Sequence, residues 1–238
     1  MSTSRLLERQ TVAEGTMAFR LEKPAHFDFR PGQTIDLKLP QLPDSTPGGN
    51  VHTFSLADES EAPALTVATR MRGSAFKNAF AGMPLNGALE LDGPLGDFTL
   101  PNRDTRTIVL LAGGIGITPF RSMARHAAHH KLGHRIVLFY GNRRPEDAAF
   151  LDDLLALQQE NPRFTCVPVM SEMEKSQRSW SGARGLITGK LLAEHLKDAH
   201  EPVYFIAGPP GMVTALRGTL HDAGVDDDDI RTEEFSGY

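Results

Sequence analysis

The sequence predicts a two-domain protein in which an antiparallel β-barrel is followed by an α/β domain with a doubly wound, parallel, five-stranded sheet. Two patterns lead to this fold class. Up to about residue 100, short alternating or β-branched segments are separated by glycine and proline, as in small barrels. Beyond it, strand-like segments alternate with helical ones, as in parallel sheets. The 238 residues suffice for two cores, and the predicted domains are residues 1–102 and 103–238.

The first part contains six segments with the composition of strands and one with that of a helix. The strands are predicted at residues 11–21, 33–39, 52–56, 64–70, 88–92 and 97–100. The short helix is predicted at residues 75–80. Short strands at this spacing are typical of a small antiparallel barrel.

The second part has five strand segments separated by four helical ones. The strands are predicted at residues 107–112, 135–140, 164–170, 203–207 and 230–235. The helices are predicted at residues 119–130, 146–159, 188–196 and 212–223. This alternation favours a parallel sheet covered by helices on both faces.

A glycine-rich turn joins the first strand of the second part to its helix. Gly114 and Gly116 let a ligand approach the backbone, Thr118 is predicted to cap the helix, and Pro119 suits the first helical position. The free N–H groups and the helix dipole would then face a diphosphate. The turn lacks the third glycine of the ordinary dinucleotide fingerprint, and tight packing is the alternative explanation.

Composition and net charge exclude several classes of protein. A net charge of −5 gives no electrostatic reason to expect nucleic acid. No apolar run is long enough to span a membrane and residues 1–10 lack the core of a signal peptide, so a cytoplasmic location is expected. A monomer is the expected oligomeric state. Cys166 is the only cysteine, which excludes a disulfide or a four-cysteine iron–sulfur cluster within this chain. Any iron–sulfur partner must then be a separate protein.

Five short motifs occur in a fixed order along the chain. They are HTFS at residues 52–55, RGSAFK at 72–77, GPLGDF at 93–98, AGGIGITP at 112–119 and GPPGM at 208–212. They match, in order, R-x-[YF]-[ST], a segment that closes over flavin phosphates, G-P-x-G-x-F, A-G-G-x-G-x-T-P and, preceded by cysteine in the family, G-P-x-x-M. In these motifs the chain resembles the ferredoxin–NADP reductase superfamily along nearly its whole length. The resemblance implies a flavin-binding barrel and a pyridine-nucleotide domain.

The resemblance implies that the barrel binds FAD, which it favours over FMN. Ser55 is the first choice for a catalytic hydroxyl near flavin N5, although without the other motifs Thr53 and Ser55 would only line one face of a strand. His52 stands where the family usually has an arginine, so that phosphate binding must depend on other groups. The predicted flavin-binding residues are His52, Thr53, Phe54, Ser55, Thr69, Arg70, Gly73, Ser74 and Ala75.

In the second domain, Gly208, Pro209 and Met212 are predicted to bind the dinucleotide together with the glycine turn. Asn142, Arg143 and Arg144 would meet its adenosine end, where two guanidiniums suit a 2′-phosphate and favour NADPH over NADH. An alternative is that either arginine pairs with Glu146 or Asp147. Ser171, Lys175 and Arg178 also lie within reach of a 2′-phosphate, although Glu172 and Glu174 beside them weaken that case. The family's cysteine near the nicotinamide is Ala207 here.

The C-terminal residues are predicted to lie beside the flavin, as in relatives. Phe235 or Tyr238 would cover the ring, and Glu233 or Glu234 would supply a carboxylate. The predicted catalytic residues are Ser55, Glu234 and Tyr238. The alternative is an amphipathic edge strand with a frayed terminus.

The implied activity is that of a flavoprotein oxidoreductase, which passes hydride from NADPH or NADH to FAD and electrons to a separate acceptor protein. Ferredoxin or flavodoxin is the first choice of acceptor, and an oxygenase component the second. The alternative class is an electron-transfer subunit of a larger complex.

No metal site is predicted. His126, His129 and His130 share a helix at metal-compatible spacing, but no acidic or cysteine ligand is evident with them, so a solvated basic face is the preferred interpretation. The acidic run at residues 226–229 is interpreted as solvent-exposed.

Overall fold

The structure is a computed structural model that describes residues 1–101 and 106–235. Six strands form the first sheet, in the order β4-β3-β6-β1-β2-β5 with antiparallel neighbours. They are β1 (Ser2–Ala13), β2 (Thr16–Glu22), β3 (Thr34–Lys38), β4 (Val51–Ser55), β5 (Ala64–Arg70) and β6 (Ala88–Leu95). One helix, α1 (Ala75–Gly82), lies between β5 and β6 in the chain. The predicted antiparallel domain is present.

Two of its predicted strands are wrong. Residues 11–21 span the end of β1, a turn at Glu14 and Gly15 and most of β2, and Gly15 has a φ of +64° that favours glycine. The outer half of β1 is mostly exposed and therefore lacks the apolar alternation that reveals a strand. Residues 97–100 are not a strand.

The first sheet curls around one apolar core but its edges are not paired into a closed barrel. Within the described residues, β4 and β5 share no strand ladder, and only the Ala57 N–H, just beyond β4, donates to the Thr66 carbonyl of β5 at 2.8 Å. Helix α1 contributes Phe76 and Phe80 to the core, where Phe80 stacks on Phe19 with 3.9 Å between ring centroids. Burial of each phenylalanine contributes about 2–3 kcal/mol.

The second sheet has six parallel strands in the order β10-β9-β8-β7-β11-β12. They are β7 (Thr107–Gly113), β8 (Arg135–Asn142), β9 (Phe164–Met170), β10 (Ala183–Arg184), β11 (Val203–Gly208) and β12 (Ile230–Glu234). The helices are α2 (Ile117–His129), α3 (Leu151–Glu160), α4 (Gly189–His195) and α5 (Pro210–Asp222). Five strands were expected, and the sixth, β10, has only two residues and no apolar run to predict it.

Helix α3 begins later than predicted. Residues Pro145–Asp147 form a separate 3₁₀ turn, and Phe150 has a φ of +58°, a left-handed conformation that interrupts the helical path. The continuous acidic and apolar pattern of the segment conceals this break.

Alternate residues of β7 serve two separate cores. Ile108 and Leu110 pack towards α2 and α3, whereas Val109 and Leu111 pack towards α4 and α5. A strand buried on both faces needs an unbroken apolar run, and β7 has one. From β7 the chain proceeds outward to β10 on one side and returns to β11 on the other. The carboxyl end of β7 is therefore the topological switch point, where ligands bind in open α/β sheets.

The two domains pack directly against one another. Phe98, after the first sheet, contacts Phe120 of α2 and Phe205 of β11, with ring centroids 5.9 and 5.2 Å apart. Arg121 of α2 donates to the Ala57 carbonyl at 2.7 Å and to Asp58 at 2.8 Å. The predicted boundary at residues 102 and 103 lies outside the described residues. Over the part of the chain that the structure describes, no helix has the length and apolar character needed to cross a membrane.

Candidate functional site

The glycine turn after β7 combines close packing with one open position. A Cβ on Gly116 would lie 2.2 Å from the Ala207 carbonyl oxygen, and one on Gly113 would lie 2.2 Å from the sulfur of Met212. Gly114 instead has a φ of +53° and faces open space. Gly116 and Gly113 thus seat the turn against β11 and α5, while Gly114 exposes backbone to a ligand.

The predicted helix cap is wrong. The residue before α2 is Gly116, which has no side chain to cap the helix, and Thr118 lies inside the first turn. The Thr118 hydroxyl is buried and donates to the Ile115 carbonyl at 3.1 Å. Thr118 and the buried Pro119 therefore shape the turn from within, and the N–H groups at the start of α2 are left uncapped by a side chain.

A cleft of about 570 Å³ opens above the carboxyl ends of the parallel strands. Six residues predicted for cofactor binding line it: Arg70, Gly114, Asn142, Arg143, Pro209 and Met212. Gly116, Thr118, Pro119, Arg144 and Gly208 are not in its lining. Leu186 and Ile187, after β10, also line the cleft and carry no sequence motif that could have identified them. Arg70 and Arg72 come from the first domain, so the cleft lies between the domains.

The cations that the sequence predicts for the adenosine end already face carboxylates. Arg144 donates to Asp147 at 2.9 Å, which is a pairing that the sequence left as an alternative, and to Glu14 at 2.8 Å. Glu172 lies 2.7 Å from Lys175 and 3.9 Å from Arg143. The hydrogen bond from Lys175 lowers the pKa of Glu172, so this carboxylate is charged at neutral pH.

The strand β4 presents its four motif residues to different surroundings. Phe54 is buried in the first core, whereas Thr53 is exposed and donates to Asp36 of β3. His52 stacks on Phe76 with ring centroids 4.1 Å apart. Its Nε2 is shut off from solvent and has no hydrogen-bond partner within the described residues. Burial lowers the pKa of His52, as does Lys77, so the ring is neutral at pH 7 and presents an unused polar atom.

Beside His52, the start of α1 forms a cationic cradle. Ser74 caps the helix by accepting from the Lys77 N–H at 3.2 Å, and Gly73 has a φ of +70° with open space where a side chain would be. Burial and the neighbouring Arg72 lower the pKa of Lys77, and neither cation has an ion-pair partner in the structure's described part. Unpaired cations, free N–H groups and a partnerless imidazole fit an anionic group such as a diphosphate.

The neighbouring end of β5 faces the second domain. Thr69 is buried, and its hydroxyl donates to the Arg70 carbonyl at 3.4 Å. Arg70 lies 3.7 Å from Asp147. Arg70 is thus held between the cradle and the cleft. Ala75, also predicted to bind the flavin, is the first residue of α1.

Ser55, at the end of β4, meets the C-terminal strand. Its buried hydroxyl donates to Glu233 Oε2 at 3.4 Å. Burial raises the pKa of Glu233 to about 7, and the hydrogen bond from Ser55 opposes the rise. Glu233 pairs in register with Ala207, the residue at the position of the family's cysteine.

The acid predicted from the sequence was the neighbouring one. Glu234 is exposed, whereas Glu233 is partly buried and reaches Ser55, because successive side chains of a strand point to opposite faces. Phe235 donates its N–H to the Gly208 carbonyl at 3.0 Å and packs against the core around α2. Tyr238 lies outside the described residues.

The sequence also gave no signal for a second hollow, which adjoins Glu233. It has a volume of about 730 Å³ and is bordered by Arg30 and Arg231. Arg231 donates to the Thr99 carbonyl at 3.0 Å and covers the ring of Phe205. The cradle and the cleft are therefore two candidate binding regions, and the contact of the buried Ser55 hydroxyl with Glu233, whose pKa is about 7, joins β4 of the first domain to β12 of the second.

Comparison with known proteins agrees with this geometry. A family model described as an oxidoreductase NAD-binding domain matches residues 110–218. The chain is 29% identical over 217 residues to the reductase component of propane 2-monooxygenase from Mycolicibacterium goodii, an alignment that covers 90% of this chain and 61% of that protein. The chain spans about three fifths of the length of the curated monooxygenase reductase components it matches.

Solved structures share the fold over nearly the whole chain. The cytochrome P450 reductase of Amycolatopsis superimposes with a TM-score of 0.82 and 27% identity, covering 98% of this chain and 69% of that one. A ferredoxin NADP⁺ reductase from Neisseria gonorrhoeae with bound FAD and NADP gives a TM-score of 0.80 at 23% identity, covering 98% of each chain, which is a likeness of fold. In its five motifs the chain resembles the ferredoxin–NADP reductase superfamily, residues 110–218 match the oxidoreductase NAD-binding domain, and the fold of nearly the whole chain is shared with these solved reductases.

Proposed function

We propose that this chain is a flavin-dependent NAD(P)H oxidoreductase that reduces FAD and delivers the electrons to a separate acceptor protein. The observation that carries the proposal is the contact of Ser55 with Glu233. It joins the strand of the flavin motif to the strand that follows the nucleotide cleft. In the proposal, residues 1–102 hold the flavin and residues 103–238 the nucleotide.

The first domain would bind the flavin through two kinds of contact. The diphosphate would lie at the start of α1, where Arg72, Lys77 and the partnerless Nε2 of His52 replace the arginine that the family uses. The ring would lie along β4, with the hydroxyl of Ser55 directed at N5. A bound flavin would supply the redox chemistry, accepting hydride from the nicotinamide and releasing single electrons to the acceptor.

Ser55 and Glu233 would act together at the reacting edge of the ring. Because the pKa of Glu233 is about 7, its carboxyl is a substantial mixture of acid and carboxylate at neutral pH. In the acid form it can donate a hydrogen bond to the Ser55 hydroxyl, and in the carboxylate form it can accept a hydrogen bond from that hydroxyl. Ala207 offers no polar group here. Glu233 therefore takes the role that the sequence assigned to Glu234.

The donor proposed is NADH rather than the NADPH that the sequence favoured. Arg144 is fully engaged by Asp147 and Glu14. A 2′-phosphate placed near Arg143 would meet the charged carboxylate of Glu172, which lies between Arg143 and Lys175. The negative charge of Glu172 would repel the 2′-phosphate of NADPH, whereas the ribose hydroxyls of NADH can donate hydrogen bonds to that carboxylate.

The acceptor proposed is an oxygenase component or a one-electron carrier associated with it. The M. goodii relative bears the name of a monooxygenase reductase component, and this similarity supports the choice over ferredoxin or flavodoxin acting elsewhere. The hollow beside Glu233, which is bordered by Arg30, Asp97 and Arg231, would give the acceptor an approach to the flavin edge.

Anaerobic stopped-flow reduction of the flavin-loaded protein by NADH and by NADPH tests the proposal. NADH is expected to reduce the flavin faster, and Ser55→Ala is expected to slow reduction on the order of 10²-fold, the effect of removing one oriented donor at a reacting centre. Ser4→Ala is the matched control, because Ser4 is also a buried hydroxyl, donating to the Glu22 carbonyl at 2.8 Å far from the site.

If neither NADH nor NADPH reduces the flavin, the enzymatic role is refuted. Equal rates for the wild type and Ser55→Ala would remove Ser55 from the reaction while leaving the function intact. A faster reaction with NADPH would refute the choice of donor.

A further inference from the structure

The loop between β4 and β5 carries a carboxylate to the histidine face of α2. Glu61 lies on this loop, and His126 and His130 lie four residues apart at the end of the helix. The sequence offered no acidic partner for these histidines because Glu61 is more than 60 residues away in the chain. The interpretation of this face as merely basic is therefore wrong.

The donor atoms of the three side chains are close enough for one ion. His130 Nε2 lies 2.8 Å from Glu61 Oε1, and His126 Nδ1 lies 3.6 Å from Glu61 Oε2. One ligand atom from each of the three residues lies within 4.8 Å of the other two. Bonds of about 2.1 Å to zinc place the ligands of a tetrahedral site about 3.4 Å apart. Small adjustments of two exposed side chains would reach this spacing.

One donor of the cluster has no other use. His126 Nδ1 is shut off from solvent and has no hydrogen-bond partner within the residues described, although it points at Glu61. A buried polar atom without a partner destabilises the folded protein. A cation between His126 and Glu61 would remove that destabilisation.

The loop is held in place without a metal. Ser60 donates its hydroxyl to Glu61 Oε1 at 2.9 Å. Asp58 of the same loop binds Arg121 at 2.8 Å and Arg125 at 3.1 Å, both on α2. The ligand set is thus preorganised across the two domains, which lowers the entropy cost of binding an ion.

We propose that Glu61, His126 and His130 bind a divalent transition-metal cation, with Zn²⁺ as the best match. Two imidazoles and one carboxylate suit zinc and its neighbours better than Mg²⁺ or Ca²⁺, which prefer oxygen ligands. Water would complete the coordination. The ion would join the β4–β5 loop of the first domain to α2 of the second, away from both cofactor regions.

Cobalt and zinc titrations of untagged, chelator-treated, flavin-loaded protein test this site, since a histidine tag would itself bind these ions. The wild type is expected to bind one Co²⁺ with visible d–d absorption that Zn²⁺ displaces. Zn²⁺ at a hundredfold excess over its Kd is expected to raise the melting temperature by roughly 5 °C. Glu61→Gln and His130→Ala, both at exposed positions, should each weaken binding at least tenfold, as should His126→Ala.

His129→Ala is the matched control. His129 lies on the same turn of helix but faces Glu59, which Arg125 already engages. The His129→Ala variant should bind Co²⁺ as the wild type does. All four variants should keep the wild-type rate of flavin reduction. The proposal is overturned if the wild type shows neither the cobalt spectrum nor the zinc-dependent melting shift. It is equally overturned if binding survives in Glu61→Gln and His130→Ala, or if His129→Ala weakens it as much as they do.

Discussion

Replacing Glu233 by glutamine is expected to stabilise the protein at pH 8.5 and to leave its stability nearly unchanged at pH 4.5. Burial makes the folded protein favour the protonated carboxyl, since it raises the pKa of Glu233 to about 7. The protonated carboxyl adds to the free energy of unfolding, and this addition is fully present below about pH 4.5 and is lost as the pH rises through 7. Glutamine resembles that form at every pH and avoids the loss.

The magnitude follows from the two pKa values. The difference between about 7 in the folded protein and 4.5 for an ordinary glutamate corresponds to about 3 kcal/mol. The free energy of unfolding of Glu233→Gln should therefore exceed that of the wild type by up to about 3 kcal/mol at pH 8.5. The gap should shrink to a few tenths of a kcal/mol at pH 4.5.

Urea unfolding followed by circular dichroism, with flavin content matched between samples, measures this gap across the pH range. Glu234→Gln is the control, because that carboxyl is exposed on the same strand and should give no pH-dependent gap. Ser55→Ala removes the hydrogen bond that lowers the pKa of Glu233 and should move the transition to higher pH. A gap that is the same at pH 4.5 and pH 8.5 would refute the assignment of a buried, neutral-titrating carboxyl.

Two further predictions, with three substitutions between them, test the packing that positions the site. Gly116→Ala would place a methyl group 2.2 Å from the Ala207 carbonyl oxygen and should lower the free energy of unfolding by about 2–3 kcal/mol. Gly218→Ala, in open space on α5, is the control and should raise it by about 0.5–1 kcal/mol. Equal melting temperatures for the two variants would contradict the close packing of the turn. Arg121→Ala leaves Asp58 without its closest cation and should lower stability by about 2–3 kcal/mol in thermal unfolding, and a melting temperature equal to that of the wild type would show that this contact does not hold the domains together.

The elements that the sequence predicts well are those with a strong local pattern. Strand β5 has the predicted bounds because every one of its residues from Ala64 to Thr69 is apolar or β-branched and buried. The glycine turn was placed correctly because β7 is an unbroken apolar run. Strand β10 could not be predicted, since two residues paired to β9 carry no periodicity.

The parts of the site that escaped prediction depend on contacts distant in sequence. The choice between Glu233 and Glu234 depends on strand register, because successive side chains of a strand lie on opposite faces and only one of the two faces is buried. Glu61 meets α2 only because the domains pack together. The ion pairs of Arg144 with Glu14 likewise join residues 130 positions apart, which no local pattern reveals.

The hydrogen bonds of Arg121 to the segment after β4 link the end of that strand to the glycine turn at the start of α2. Ser55 is followed by Ala57 and Asp58, which Arg121 and Ser122 hold, and the same helix starts at the glycine turn. The end of β4 and the glycine turn are thus both tied to the start of α2, so a rotation of one domain on the other would change the separation of these two segments little.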